Sequence, residues 1–392
     1  MPRSFPLLWL SLLSGMLASV CSADSKTAFT LFEAVRDRPG VVFAPAALDD
    51  VLSLLYFGSA GETEAAFQSR LFPKLSRAEA RTQAAKVTRT FPGYRSIGSL
   101  WADTRLILTD EFQAAASQSW SIPIARAPLQ TDTTSSAKII NGWFFKKTNG
   151  HVPNVITPTG LGTGPDLVVV TVAAFASAWK ERYFMEHETR PEYFYSTPDS
   201  KALVPTMKSV NSVPYGENEM FQTVRLDFDS GGLALLLLLP KKAAALDQAL
   251  AACTPDVFSK SVAGLKSTYV NLRLPRIRYS HKIEWREPLA KLGLDIAFTN
   301  KADFSRINAN TPLPLRLAQV MQEVRIQWDE NGAEARAVTF VSSDPFGASS
   351  PPEAPVQFIA NHPFVYLIFN TTTLDIYFMG VVSEPSQMSP TS

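Results

Sequence analysis

The spacing of apolar residues changes character near Leu167, and that change limits the folds open to this chain more than any other feature. Upstream, Leu48, Val51, Leu52, Leu54, Leu55 and Phe57 recur at the intervals of a buried helix, and Asp110, Glu111 and Phe112 open another after Leu108. Downstream, Leu167 to Val172 and Leu233 to Leu239 are unbroken apolar runs of strand length. Val270, Leu272, Leu274 and Ile277 nearly alternate with polar neighbours, and Val365 to Phe369 and Leu374 to Phe378 read as the arms of a hairpin. Helices early and strands late make an α+β layout. No repeat or low-complexity linker divides the chain, and proline clusters only between Pro345 and Pro355, so one domain is expected over residues 24–392.

The first residues read as a secretory leader. Arg3 precedes an apolar run from Phe5 to Val20, and the small residues Cys21, Ser22 and Ala23 follow. The run is too short to span a bilayer and polar Asp24, Ser25 and Lys26 end it, so cleavage is expected after Ala23 or one residue earlier. A lipoprotein leader ending at Cys21 is the lesser alternative, because Ala18-Ser19-Val20 fits it poorly. Removal of Cys21 leaves Cys253 alone, so no internal disulfide is available and stability must come from a large core. Free cysteine is usually a small buried side chain, and Cys253 is read so. With 37 Lys and Arg against 36 Asp and Glu, the chain has no global field to attract nucleic acid or an acidic membrane. A secreted monomer without cofactor or metal is expected.

The strong catalytic signatures are missing: there is no G-x-S-x-G, H-E-x-x-H, C-x-x-C or Walker loop. The four histidines, His151, His187, His281 and His362, have no metal-ligand partner at helical spacing and read as structural. Gly160-Leu161-Gly162-Thr163-Gly164 precedes a strand instead of opening a helix, which makes it a mobile connection and not a phosphate cradle.

The most informative stretch is Asp329 to Thr339 with the proline-bearing loop that follows. Ala333, Ala335, Ala337, Thr339, Val341 and Ser343 lie two apart and are all small or β-branched, while Glu334 and Arg336 sit between them. A strand sends alternate side chains to opposite faces, so this segment could enter a sheet with its small residues inward and both charges in water. An ordinary surface loop with chance alternation is the plainer alternative on this pattern alone. Gly332 would serve as the pivot.

Taken with motifs along the rest of the chain, this hinge makes the sequence resemble a serpin. The motifs run in order: Phe43 to Pro45; Tyr56 to Thr63; Ile140-Asn141 with Trp143, Thr148 and Gly150; Trp179, Phe184, Thr189 and Phe194; Met207; Leu239-Pro240; Leu274-Pro275; Leu292 to Leu294; Ala302 to Ser305; Asn361 to Phe364; and Phe378 to Gly380. The resemblance implies the serpin fold, about three β-sheets with helices packed around them and an exposed reactive-centre loop at about 332–355. It also implies a one-shot protease inhibitor in place of an enzyme. A target protease cleaves the loop, is acylated by it, and is carried off as the loop adds to the central sheet, an insertion for which serpins are a standard illustration. Gly332, Ala333, Glu334, Ala335 and Ala337 form the hinge, and the family's usual spacing of fourteen residues places the scissile bond between Phe346 and Gly347, with a slip toward Ala348 left open by the long stretch that follows and holds Pro351 and Pro352. A large aromatic before the bond suits the deep apolar pocket of a chymotrypsin-like serine protease, and no Lys or Arg between Ala337 and Phe364 offers trypsin-like enzymes a site.

The resemblance also marks departures. Near Trp179 and under the central sheet, the family's serine, second serine, asparagine and histidine are here Ala44, Ala47, Thr171 and Gln322. A wholesale change of a buried polar set is less damaging than loss of one partner, so sheet opening is expected to survive with altered tuning. These departures also feed the second reading, a carrier, chaperone or signalling serpin whose loop is cut without trapping. Lys74, Arg77, Arg81 and Arg89 cluster on a helical wheel near the helix some family members use for glycosaminoglycans, although a solvated helix face is the more ordinary meaning. Asn370-Thr371-Thr372 is a glycosylation sequon placed at a hairpin tip.

Overall fold

A computed structural model describes residues 25–86, 92–162, 164–242, 246–309, 315–333 and 354–388. The expected leader, Arg89, the hinge beyond Ala333 and the Phe346–Gly347 bond lie outside the described residues. In chain order the elements begin α1 (Ser25–Glu33), β1 (Val42–Phe43), α2 (Pro45–Gly58), α3 (Gly61–Arg70), α4 (Arg77–Ala84), β2 (Tyr94–Asp103), α5 (Asp110–Gln118), β3 (Ile124–Ala127), α6 (Thr133–Lys147) and α7 (Pro158–Leu161). They continue with β4 (Leu167–Phe175), β5 (Ser177–Ala178), β6 (Arg190–Thr197), β7 (Ser200–Glu217), β8 (Phe221–Asp227), β9 (Leu233–Pro240), α8 (Leu246–Ala252), α9 (Pro255–Ala263), β10 (Lys266–Pro275) and β11 (Ile277–Glu284). The last are α10 (Arg286–Leu289), β12 (Leu317–Trp328), β13 (Gly332–Ala333), β14 (Val356–Ile359), β15 (Phe364–Asn370) and β16 (Ile376–Val382).

Among the described residues the strands form three sheets. One runs β1-β16-β15-β9-β8-β7-β10-β14 with β6 on β7, a second runs β11-β12-β4-β2-β3, and β13 pairs with β5. At the centre of the second sheet β12 and β4 are neighbours and parallel, from Leu317 opposite Leu167 to Arg325 opposite Ala174. The apolar run of β4 is explained by its cover on both faces. Val168, Val170 and Val172 pack in front with Ile140 and Phe144 of α6, and Val169 lies behind with Val51, Leu52 and Leu55 of α2. α2 is buried along nearly its whole length, with Pro45 in its first turn where a missing N–H costs nothing.

The expected helices and strands fall close to where the periodicity puts them, except that the last hairpin arm is Ile376–Val382 with Leu374 in the turn, and with two further differences. The first third also contains β2 and β3, because Ser96, Gly98 and Ser99 interrupt any apolar rhythm in β2. The glycine-rich connection is anchored: the Gly164 carbonyl accepts from Gln130 Nε2 at 2.7 Å and from an Arg316 guanidinium nitrogen at 2.9 Å. Cys253 is buried and its thiol is pushed up to about 12 by burial, which leaves it unreactive.

Candidate functional site

The hinge begins inside the fold. Gly332 and Ala333 form a short antiparallel strand opposite Ala178 and Ser177, at the top of the β12–β4 seam. Gly332 has φ +131°, and a Cβ placed on it would lie 2.2 Å from the Ser177 carbonyl oxygen, so no other residue fits this approach. A tight turn precedes it: the Asp329 N–H donates to the Gly332 carbonyl at 2.9 Å, and the Asn331 N–H to Asp329 Oδ1 at 2.8 Å. Burial raises the Asp329 carboxyl above the usual carboxylate value.

Trp179 holds this turn to the sheet. Its indole Nε1 donates to the Asp329 carbonyl at 2.8 Å and its backbone N–H to the Asn331 carbonyl at 3.1 Å. The ring is buried and stacks on Phe228 at 4.7 Å. Glu330, which sequence reasoning did not single out, points inward from the same turn. Arg276 grips it with Nε 2.9 Å from both carboxylate oxygens, and Thr189 Oγ1 donates to the same carboxylate. The signal available in the sequence was an acid two residues before the hinge glycine, but its partner Arg276 lies 54 residues away and only the fold brings them together.

Midway down the seam, three of the four altered positions meet through Gln322. Gln322 Oε1 accepts the Ala44 N–H at 2.9 Å, and Gln322 Nε2 donates to the Ala44 carbonyl at 3.0 Å and to Thr171 Oγ1 at 3.3 Å. Gln322, Thr171 and Ala44 are fully buried, and Ala47 follows on α2 as apolar packing. The carboxamide therefore satisfies the backbone N–H of the N-cap residue Ala44, as the N3 side chain of a capping box would; the N3 position here is Ala47, which has no group to do so. The bond to Thr171 crosses the seam, and those to Ala44 do not.

The basic stripe is not one helical face. A capping box between Ser76 and Glu79 starts α4 at Arg77, which leaves Lys74 in the preceding turn. Arg77 donates to the Phe57 carbonyl at 2.8 Å and pairs with Glu64 at 3.3 Å, and Arg77 and Arg81 both lie over the Phe57 ring. These arginines serve the protein's own packing, which corrects the wheel geometry expected for a polyanion site. The sequon is at a hairpin tip as expected: Asn370 ends β15, and its Oδ1 accepts from the N–H groups of Thr372 and Thr373. Among the described residues no cluster of His, Cys, Asp or Glu could hold a metal.

A sequence profile of the Serpin (serine protease inhibitor) family matches residues 22–385. The chain belongs to the serpin family. Serpin-Z1B of Triticum aestivum is 25% identical to it over 390 residues, covering 94% of each chain. The leukocyte elastase inhibitor of Sus scrofa is 24% identical over 386 residues, covering 94% of this chain and all of that one. Among solved structures, Serpin48 of the insect Tenebrio molitor superposes with TM-score 0.80 at 22% identity, over 92% of this serpin and 96% of that chain. The hinge turn, the tryptophan above the seam and the Gln322 junction are thus parts of a serpin fold. Serpins as a family are inhibitors of proteases and not enzymes, and some members do not inhibit.

Proposed function

We propose that this serpin is a secreted suicide inhibitor of chymotrypsin-like serine proteases, cleaved between Phe346 and Gly347. The observation that carries the reading is the seam. β4 and β12 run parallel, and the strand begun by Gly332 and Ala333 runs antiparallel to β5 at its top. A strand continuing in that direction between β4 and β12 would exchange one parallel ladder for two antiparallel ones, which are slightly more stable per residue. Each added backbone bond contributes about 0.5–1.5 kcal/mol net, so a strand of this length gains on the order of 10 kcal/mol before apolar burial.

The chemistry is an interrupted proteolysis. The protease serine oxygen bonds to the Phe346 carbonyl carbon, the C–N bond to Gly347 breaks, and the new amine leaves with a proton. Insertion then has to outrun hydrolysis of the acyl-enzyme. The small residues at alternate positions from Ala333 to Ser343 support insertion, and Phe346 supports the apolar-pocket target. The leader, and Asn370 as a glycan acceptor, support secretion. The basic residues Lys74, Arg77, Arg81 and Arg89 give weaker support for a glycosaminoglycan partner, because two of them are turned onto Phe57.

The test is incubation with chymotrypsin near equimolar ratio, followed by denaturing electrophoresis and mass spectrometry of the released peptide. A band at the summed mass and a peptide beginning at Gly347 are expected. Cleavage with no such band, and a loop-cut product that melts where the intact protein does, would leave the non-inhibitory reading favoured by the altered Ala44, Ala47, Thr171 and Gln322 set.

A further inference from the structure

The seam has a second fastening at its base, made of Asp166 and Arg316 together with Gly164 at the end of the glycine-rich connection. Asp166 immediately precedes β4 and Arg316 immediately precedes β12, so the two face each other where the parallel pair begins. The Arg316 backbone N–H donates to Asp166 Oδ2 at 3.3 Å, its Nε lies 3.9 Å from the same oxygen, and its guanidinium donates to the Gly164 carbonyl at 2.9 Å. Gly164 has φ +59°, and a Cβ there would crowd Gln130 Oε1 at 2.9 Å, which is why glycine occupies the position.

The Arg316 contacts named above all reach the other half of the sheet, and that half is tied together independently. Gln130 Nε2 donates to Asp166 Oδ1 and to the Gly164 carbonyl, both at 2.7 Å. Gln130 N–H donates to Asp103 Oδ2 at 2.8 Å, and Arg105 Nε pairs with Asp103 Oδ1 at 2.6 Å while its guanidinium lies 3.8 Å from Asp166 Oδ1. Asp103 and Asp166 are buried, whereas the side chains of Arg105 and Arg316 are 54% and 37% exposed.

This asymmetry has a physical consequence. When β12 and β4 part, the Arg316 side chain, already more than a third exposed, moves further into water. Asp166 keeps Gln130 and Arg105, and the Gly164 carbonyl keeps Gln130. No buried charge is stranded, so the cost that makes broken buried pairs so expensive is avoided. A contact that closes the seam yet opens without leaving an orphan has the properties of a latch. It also sits late on the path: a strand keeping the Gly332–Ala178 register reaches the level of Asp166 about twelve residues after Gly332.

We propose that Arg316 is a latch across the base of the β4–β12 seam, set by Asp166 and Gly164, and that its release limits how fast an entering strand completes its course. The proposal rests on the insertion reading and adds to it a residue that governs the rate. The test uses the intact, uncleaved protein and a synthetic acetylated peptide of residues 333–344, with annealing followed by native gel shift. The proteins compared are the wild type, Arg316→Met, Arg316→Lys and Arg105→Ala. Met keeps the aliphatic stem, Lys keeps the charge without the planar fork, and Arg105 belongs to the same network without crossing the seam. Annealing at least tenfold faster than wild type is expected for Arg316→Met, an intermediate rate for Arg316→Lys, and a rate within threefold of wild type for Arg105→Ala even though that change also lowers the melting temperature.

Equal acceleration by Arg105→Ala would mean general loosening and would overturn the latch, as would an unchanged rate in both Arg316 variants. Should Arg316→Met not fold, Arg316→Lys decides alone. A wild-type protein that takes up no peptide and gains no thermal stability on loop cleavage would refute insertion itself, and the latch with it.

Discussion

Replacing Gln322 by Met separates the polar role of the seam junction from its packing, because the side chain keeps nearly the same volume. The cost can be worked from the bonds. The Ala44 carbonyl also accepts the Leu48 N–H at 3.1 Å, so it keeps a partner. The Ala44 N–H has Gln322 Oε1 as its acceptor and is fully buried, so it is orphaned at about 1–3 kcal/mol. Thr171 Oγ1 loses one donor, a further loss of about 0.5–1.5 kcal/mol. The sum is about 2–4 kcal/mol. At roughly 2.1 cal/mol/K per residue, a chain of 392 residues has an unfolding entropy near 0.8 kcal/mol/K, so the first thermal transition should fall by about 3–5 °C. Thr171→Val removes only the bond that crosses the seam and should cost about 0.5–1.5 kcal/mol, or at most about 2 °C. Differential scanning calorimetry and urea unfolding of both variants provide the comparison. A neutral Gln322→Met, or a Thr171→Val that costs as much, would refute the reasoning that Gln322 acts chiefly as the acceptor of the Ala44 N–H at the start of α2.

Three further outcomes are expected. Gly332→Val should expel the hinge from its pairing with Ser177 and Ala178, since its Cβ would lie 2.2 Å from a backbone oxygen; the variant should become a substrate of the target protease, read as the ratio of cleaved protein to covalent complex. Arg276→Met should destabilise by about 3–5 kcal/mol because Glu330 is left buried without its partner, and Glu330→Gln on that background should recover most of the loss in urea unfolding. His281 and His362 are both held below the ordinary histidine value by burial, with backbone carbonyls of Gly40 and Pro240 against their rings. The unfolded chain therefore binds protons that the native state refuses, and stability is full above about pH 6.5 and declines as the pH falls toward the depressed folded values. Urea midpoints at pH 7.5 and 5.5 should differ in that direction, and replacing both histidines by Gln should flatten the slope; an unchanged slope would show that other groups set it.

Elements defined by local periodicity are legible in the sequence. The Leu48–Phe57 helix, the β4 and β9 runs and the terminal hairpin can be read because burial on one or both faces imposes a repeat on adjacent residues. β2 is not legible, since its neighbours β4 and β3 define it and its own Ser96, Gly98 and Ser99 carry no such repeat. The basic stripe misleads for a related reason: a helical wheel assumes one helix, and the Ser76–Glu79 box begins it three residues too late for Lys74 to join.

For this protein, the sequence alone determined the α+β order of elements, the hinge glycine and the alternation after it, and the order of motifs that marks a serpin. Those are properties of neighbours along the chain, where a two- or 3.6-residue repeat or a fixed spacing is visible. The tertiary structure alone decided that Arg276 neutralises Glu330, that Gln322 bonds the backbone of Ala44 278 positions away, and that Arg316 spans a seam to Asp166. A buried polar group must find a partner wherever the fold brings one, and loop closure costs only slightly more for distant residues than for near ones, so such pairings leave no trace in local sequence.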